Sequence, residues 1–327
     1  MPENNHSRYG GKLTNIIMLN FKRQPELNIE EKKFTYPEQL LDFLSSWNNK
    51  LDGYIFRGHS KESYELLPSV LREENRFFAD HSWPKSLGAD YEITQIQSEF
   101  ILLREFYQKA DRYGLKVPSS DFLRKNLASE YDLTFATQPE GETYWIPSYM
   151  QEIAALAQHY GLPTRLLDWT HDPFVAAFFA LKGALNNEEN IVIWCLNKEH
   201  LSTHAMLSKH SSLKFVTPPY YENPHLNAQK GIFTHIETAM QFRSVDGGSM
   251  LVDRRPLDVR LADIFNKGAL NNVNILTKLI FPANLALETF SLLERHGYGE
   301  ARIFPGYGGV ANEVLHSRKM KAQSTDK

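Results

Sequence analysis

The first segment with chemical potential is Phe56-Arg57-Gly58-His59-Ser60. Its arginine follows the apolar run 54–56, which is typical of a short strand. A guanidinium presents a planar fork of donors that matches two oxygens of a phosphate or carboxylate. The adjacent Gly58 lets a ligand approach the backbone closely. The pattern therefore indicates an anion-binding arginine at the end of a strand, with a structural ion pair as the alternative.

The second segment, residues 158–170, brings amide, imidazole, phenol, hydroxyl, guanidinium, carboxylate and indole groups into one short stretch. It lies between two predicted helices, and loops held by a rigid scaffold are where binding and catalytic residues usually lie. The candidate residues here are Gln158, His159, Tyr160, Thr164, Arg165, Asp168, Trp169 and Thr170.

A structural interpretation of this second segment stays open beside the functional one. Arg165 and Asp168 could pair with each other, Thr170 could cap a helix, and Trp169 could belong to the core. His159 has no second ligand at i+3 or i+4, which favours a hydrogen-bonded histidine over a metal ligand. We therefore expect no metal site in the segment.

The bulk composition is that of an ordinary globular chain with 327 residues, 42% of them hydrophobic and 23% charged. The formal net charge of −3 gives no general attraction to nucleic acid or to anionic lipid. The one cysteine, Cys195, lies in an apolar run and is expected to be buried. The N-terminus lacks a signal-peptide pattern and no run is long enough to span a membrane, so we expect a cytoplasmic protein without a membrane partner.

The elements that must position these segments are helices early in the chain and short strands dispersed through it. A helix is expected from Thr35 to about residue 50, a helical stretch over 88–130, a polar linker over 131–146, and a helix that ends before Gly161. Asp172-Pro173 has the residue types of an N-cap and a first helical position.

Further strands are expected over 191–196, 231–236, 276–281 and 302–305, with a helix over 283–296 and another at the C-terminus. Residues 197–230 are mainly polar, and Pro218-Pro219 predicts a loop within them. This order indicates the α+β class: one mixed domain with short central strands surrounded by helices.

Several of these motifs resemble the FRG-domain family. Phe-Arg-Gly at 56–58 is the signature that names the family, and residues 157–170, continuing through Asp172-Pro173 and 176–180, are similar to its longest motif. Weaker similarity is found at 227–234 and between 280–282 and 303–305. His225 stands where the family pattern has an arginine. The resemblance implies one domain over 35–315, an N-terminal extension over 1–34 and a polar tail over 316–327.

The order of the motifs is also similar to the layout of arginine–serine–glutamate ADP-ribosyltransferases. That resemblance implies that Arg57 binds the NAD pyrophosphate and that Thr170, or else Thr164, is the orienting hydroxyl. Phe56, Gly58, Gln158, His159, Thr164 and Arg165 would line the NAD site. Tyr160 or Trp169 would stack on the nicotinamide ring.

The position expected for the catalytic glutamate is occupied by Gln229. A glutamine can hold a ribose hydroxyl but carries no charge for a developing cation. Three interpretations stay open: Asp168 supplies the carboxylate, Glu222 or Glu237 supplies it, or the pocket binds without catalysing.

These observations give one principal hypothesis and several alternatives. The principal one is an NAD-handling, ADP-ribosyltransferase-like protein, with NAD as substrate rather than as a tightly bound cofactor, acting as a toxin or an anti-phage defence effector. Its protein or nucleic-acid target is not indicated. The alternatives are a non-catalytic nucleotide-binding module, a metal-dependent nuclease or hydrolase built on Asp168, Asp172 and His159, and an interaction scaffold.

Overall fold

The computed structural model describes residues 27, 29–48, 50–80, 90–118, 123–124, 144–185, 188–208, 212–217, 220–221, 223–240, 250–265 and 274–325. The strands in these ranges are β1 (Ile29–Lys33), β2 (Tyr54–His59), β3 (Tyr144–Trp145), β4 (Leu167–Thr170), β5 (Ile191–Asn197), β6 (Leu213–Val216), β7 (Gly231–Ile236), β8 (Thr238–Ala239) and β9 (Leu276–Phe281).

The helices in the same ranges surround the strands. They are α1 (Pro37–Leu44), α2 (Phe77–Asp80), α3 (Glu92–Arg112), α4 (Gln151–His159), α5 (Pro173–Ala184), α6 (Lys198–Ser208), α7 (Pro224–Gln229), α8 (Leu257–Phe265), α9 (Ala286–Arg295), α10 (Glu300–Ile303) and α11 (Tyr307–Thr325). None of these helices combines the length and the apolar composition that a membrane span requires.

A seven-stranded mixed sheet forms the centre of the molecule, in the order β1-β9-β5-β2-β4-β7-β6. β1 and β9 are parallel, and every other neighbouring pair in this sheet is antiparallel. β3 and β8 form a separate two-stranded ribbon. This architecture confirms the predicted mixed α+β class in one compact domain.

α5 covers the middle of the sheet because its sequence is apolar on nearly all sides. The Asp172 side chain accepts a hydrogen bond from the Phe174 N–H at 3.1 Å, and Pro173 occupies the first helical position, so the predicted helix start is confirmed. A Cβ at Gly58 would lie 2.0 Å from the main-chain oxygen of Ala176. The glycine therefore permits close packing of α5 on β2.

β2 divides its side chains between the two faces of the sheet. Phe56 packs in the core cluster that contains α5, whereas Ile55 packs with Trp169 and Trp194 in the cluster of the opposite face. Side chains alternate along a strand, so Arg57 leaves the backbone on the face of Ile55. β2 and β4 are registered at a single pair, Phe56 with Thr170.

Several predicted boundaries agree with the structure. β5, β7 and β9 contain the expected strands 191–196, 231–236 and 276–281, and the helix expected to end before Gly161 is α4. Gly161 adopts φ +89°, the left-handed conformation that suits a residue after a helix.

Other predictions were wrong. Arg57 lies within β2 rather than after it, the helix behind Thr35 ends at Leu44, and residues 167–170 form a strand instead of a loop. Residues 302–303, the start of the expected strand 302–305, are the end of α10, and the Phe304 N–H bonds to the Glu300 oxygen in a helical turn.

β1 lies inside the predicted extension 1–34 and forms an edge of the main sheet. Residues 131–143 of the predicted linker and Pro218-Pro219 lie outside the described residues.

Candidate functional site

A cleft of about 540 Å³ opens beside the paired ends of β2 and β4. It brings together the four residues predicted to be catalytic: Arg57, Asp168, Thr170 and Gln229. Its other polar lining residues are Gln158, His159, Tyr160 and His225. The apolar lining is provided by Phe56, Trp169, Val175, Ala176, Phe179, Leu226, Phe233 and Phe304. A mainly apolar cleft with a few convergent polar groups is the usual form of a small-molecule site.

Arg57 is held by three hydrogen bonds that leave one end of its guanidinium open. Nη1 donates to the main-chain oxygen of Asp168 at 2.8 Å and to Oδ2 of the same residue at 3.3 Å. Nε donates to Nε2 of His59 at 2.9 Å. Nη2 has no partner within the described residues, and the side chain is 15% exposed. Two N–H groups therefore remain for a ligand.

His59 holds Arg57 as a neutral imidazole. Because Nε2 accepts from Arg57, the ring proton lies on Nδ1, which donates to the Tyr64 oxygen at 3.2 Å. Burial and the charge of Arg57 lower the pKa of His59 to about 3. His59 belongs to the sequence motif 56–60, but the motif alone indicated no role for it. Its place two residues after Arg57 on one strand, hence on the same face, was the available signal.

Asp168 offers the cleft a carboxylate that the fold holds in place. Gln158 donates from Nε2 to both carboxylate oxygens at 3.1 Å, while the carboxylate stays 52% exposed. The Thr164 hydroxyl donates to Oε1 of Gln158 at 2.7 Å and accepts from the Leu166 N–H at 3.1 Å. The Thr164 bond fixes which end of the amide faces Asp168.

Thr164 is itself nearly fully buried and does not line the cleft. Its predicted role in contacting NAD, or as the orienting hydroxyl, is therefore corrected to one of holding Gln158.

Thr170 and Gln229 connect β4 to the opposite wall of the cleft. The Thr170 hydroxyl donates to the Gln229 main-chain oxygen at 2.6 Å and accepts from the Asp172 N–H at 3.0 Å. The Gln229 amide donates to the Ile303 oxygen at 3.3 Å. These bonds tie β4, α7 and α10 together around the cleft. Both hydrogen bonds of the Thr170 hydroxyl go to main-chain groups, and within the described residues it forms none with Arg57 or Asp168.

Of the two aromatic residues predicted to stack on nicotinamide, only Tyr160 is open to the cleft. Tyr160 is 67% exposed and stands edge-on to the His159 ring. Trp169 reaches the cleft boundary, but its side chain is 3% exposed and its indole N–H donates to the Thr234 hydroxyl at 2.8 Å. The indole face belongs to the core, which corrects the prediction that Trp169 stacks on a ligand.

Arg165 lies outside the cleft, contrary to its predicted place in the NAD site. Its guanidinium is buried between two carboxylates, with Nη1 at 2.6 Å from Glu92 and Nη2 at 2.8 Å from Glu99. The Thr238 hydroxyl accepts a further bond at 3.0 Å, and Trp145 donates to Glu99 at 2.6 Å. A guanidinium so occupied has a structural role, and the alternative pairing of Arg165 with Asp168 is also wrong.

The other carboxylates considered for catalysis are engaged elsewhere. Asp172 is nearly fully buried and its Oδ2 meets Lys230 at 2.8 Å, the Tyr298 hydroxyl at 3.1 Å and Arg302 at 3.6 Å. Glu237 pairs with Lys214 at 3.3 Å and does not line the cleft, and Glu222 lies outside the described residues. Across the described ranges, no three His, Cys, Asp or Glu residues are grouped as a metal site.

Comparison with known protein families matches the FRG domain to residues 52–189. No curated protein and no solved structure matches the chain. The matched range contains Arg57, Gln158 and Asp168, whereas Gln229 and Phe304 follow it. One wall of the cleft is therefore provided by chain beyond the matched range.

Proposed function

We propose that the cleft binds NAD⁺ and cleaves its nicotinamide–ribose bond, releasing nicotinamide and passing ADP-ribose to a nucleophile. The starting point is the FRG domain over residues 52–189, which contributes Arg57 and Asp168 to the cleft. One observation carries the proposal. The open end of the Arg57 guanidinium and the exposed carboxylate of Asp168 lie side by side in a cleft of about 540 Å³. The first is an anion-binding group and the second a cation-stabilising group.

Arg57 is assigned to the pyrophosphate. Its two unused N–H groups on Nη2 suit two phosphate oxygens, and His59 and Asp168 restrict its rotation, so little side-chain entropy is lost on binding. Burial lowers the pKa of Arg57 and the charge of Asp168 opposes that shift, so the group remains cationic at neutral pH. The aromatic and aliphatic wall would receive the rings of the dinucleotide.

Asp168 is assigned to the reaction centre. Departure of nicotinamide leaves positive charge on the ribose, and a fixed carboxylate stabilises that charge in the transition state. The two bonds from Gln158 fix the carboxylate before substrate arrives. Gln229 supplies an amide for a ribose hydroxyl, and Thr170 supports the Gln229 backbone.

Such chemistry consumes NAD⁺ or attaches ADP-ribose to a macromolecule, and activities of this kind are commonly toxic to cells. We therefore place the protein among toxins or anti-phage defence effectors that act in the cytoplasm, where NAD⁺ is abundant. The support is the chemistry of the cleft together with the layout of motifs, which is an argument by analogy.

A non-catalytic nucleotide-binding module is the second candidate, and one observation favours it. The Asp168 oxygens already accept bonds from Gln158 and Arg57, and the uncharged Gln229 stands where a glutamate was expected. In that case the same cleft would bind ADP-ribose or NAD⁺ with no turnover.

Nicotinamide release from NAD⁺, together with calorimetric binding of ADP-ribose, separates the candidates. We expect the wild type to release nicotinamide and Asp168→Asn to lose at least about 100-fold in rate while keeping its affinity for ADP-ribose. Glu288→Gln, an exposed carboxylate on α9, serves as the matched control. Binding without release by the wild type would establish the second candidate, and absence of both would refute each.

A further inference from the structure

Two histidines face each other across the cleft wall. His159, at the end of α4, and His225, in α7, both line the cleft, with ring centroids 5.9 Å apart and planes tilted by 44°. On another side, Tyr160 contacts His159 edge-on at 5.2 Å between ring centroids. His159 belongs to the candidate segment 158–170, whereas His225 stands where the family pattern has an arginine.

The His159 imidazole is packed but not hydrogen-bonded within the described part of the chain. This distinguishes it from His59, whose two ring nitrogens are both used by Arg57 and Tyr64. A half-buried imidazole with free nitrogens and a fixed ring plane can exchange a proton with a bound molecule. His159 lines the same cleft as Asp168, and the two side chains are close enough to interact electrostatically, so the imidazole lies near the proposed reaction centre.

We propose that His159 is the general base that deprotonates the nucleophile attacking the ribose, and that His225 is a positioning residue that fixes the His159 ring. The inference rests on the proposed function and names a further catalytic residue for it. It also indicates that the nucleophile enters from the wall formed by α4 and α7.

The step balances with water as the nucleophile. The bond between C1′ of the ribose and the nicotinamide nitrogen breaks, and its electron pair leaves with neutral nicotinamide. An oxygen lone pair of water forms the new bond to C1′, and one water proton passes to His159. The products are ADP-ribose, nicotinamide and a proton that the imidazole returns to solvent. A hydroxyl of a macromolecule would replace water in the transfer reaction.

The electrostatic surroundings favour the neutral, basic imidazole at pH 7. Burial lowers the pKa of His159, and the neighbouring His225 lowers it further, while Asp168 opposes the shift. These are the titratable groups that face the ring from α7 and β4, and the Tyr160 phenol lies beside it. Nicotinamide release should therefore decline toward acid as the imidazole is protonated.

The test is the pH profile of nicotinamide release at saturating NAD⁺, with ADP-ribose binding measured in parallel. His159→Asn should lower kcat by about 100-fold or more and keep ADP-ribose binding. His296→Asn, at an exposed position after α9, is the control and should match the wild type. His225→Asn should move the acid limb to higher pH, because it removes a group that lowers the pKa of His159.

The results for the two histidine variants and the wild type separate the assignment of His159 as base from the proposed function. Wild-type kcat in His159→Asn, or an unmoved acid limb in His225→Asn, would overturn the assignment of a base while leaving the proposed function intact. A wild type that releases no nicotinamide would overturn both. If His159→Asn fails to fold, the His225→Asn profile alone decides, since a purely structural histidine pair would not move the acid limb.

Discussion

Arg57 and Asp168 are 111 positions apart in sequence, yet Nη1 of the arginine donates to both the main-chain oxygen and the carboxylate of the aspartate. The contact spans β2 and β4, which are otherwise registered only through Phe56 and Thr170. A side chain thus completes the junction between two strands and, at the same place, presents opposite charges to the cleft.

Gln158 is predicted to hold the Asp168 carboxylate in place for the reaction. Gln158→Glu replaces the amide that donates to both carboxylate oxygens with a second carboxylate, whose charge repels Asp168. The rate of nicotinamide release at pH 7 should therefore fall by about 10-fold or more, because a displaced carboxylate stabilises the ribose cation less well. Gln151→Glu, on the same helix outside the cleft, should leave the rate unchanged. Equal rates for the two variants would argue against a role for Asp168 as a held anion.

Arg165 is predicted to stabilise the fold without contributing to binding. Arg165→Met leaves Glu92 and Glu99 buried without their cation, and breaking one partner of a buried ion pair costs about 3–5 kcal/mol. Urea unfolding should show this loss, whereas the exposed Arg295→Met should change stability by less than about 0.5 kcal/mol. A stable Arg165→Met variant that had lost ADP-ribose binding would restore Arg165 to the ligand site.

Acid should destabilise the protein through its buried histidines. Burial, followed by the charges of Arg165 and Lys214, lowers the pKa of His235 to about 4. Below pH 6.5 the unfolded chain binds a proton there that the folded protein excludes, so the free energy of unfolding falls by up to about 1.4 kcal/mol per pH unit toward pH 4. His235→Leu should reduce this slope in urea unfolding at several pH values. A constant difference from wild type across that range would contradict the linkage.

Asp172 is predicted to hold the second wall of the cleft. Asp172→Ala removes the α5 cap and the contacts to Lys230 and Tyr298, at a cost of about 2–4 kcal/mol. Asp172→Asn keeps a capping oxygen and should lose about 1 kcal/mol less. Both should weaken ADP-ribose binding, because Lys230 follows Gln229 directly. Urea unfolding that ranks Asn below Ala would contradict the capping role.

The sequence predicted those parts of the fold that local rules determine. α5 was recognisable because a capping aspartate, a proline and an apolar helix follow one another, and β5 because it is a continuous apolar run. β4 was missed because four residues carry too little periodicity to separate a strand from a loop. The strand expected at 302–305 failed because its short apolar run also suits a helical turn.

The site was predicted in part, since the motif residues Arg57 and Asp168 and the later Gln229 were all expected in one cleft. The residues around Arg165 in the sequence do not distinguish it from a ligand-binding arginine. Its partners Glu92 and Glu99 lie on α3, where the sequence pattern predicts an exposed polar face. Burial of a charge depends on which distant element covers it, and that information is not contained in a short motif.

The most direct test of the central claim is calorimetric unfolding with and without ADP-ribose, comparing the wild type with Arg57→Ala and with the exposed control Arg295→Ala. At about 100 times its dissociation constant, the ligand should stabilise the wild type and the control by about 2.7 kcal/mol. The stabilisation should vanish in Arg57→Ala. An equal stabilisation in Arg57→Ala, or none in the wild type at any concentration, would contradict the assignment of this cleft to a nucleotide held by Arg57.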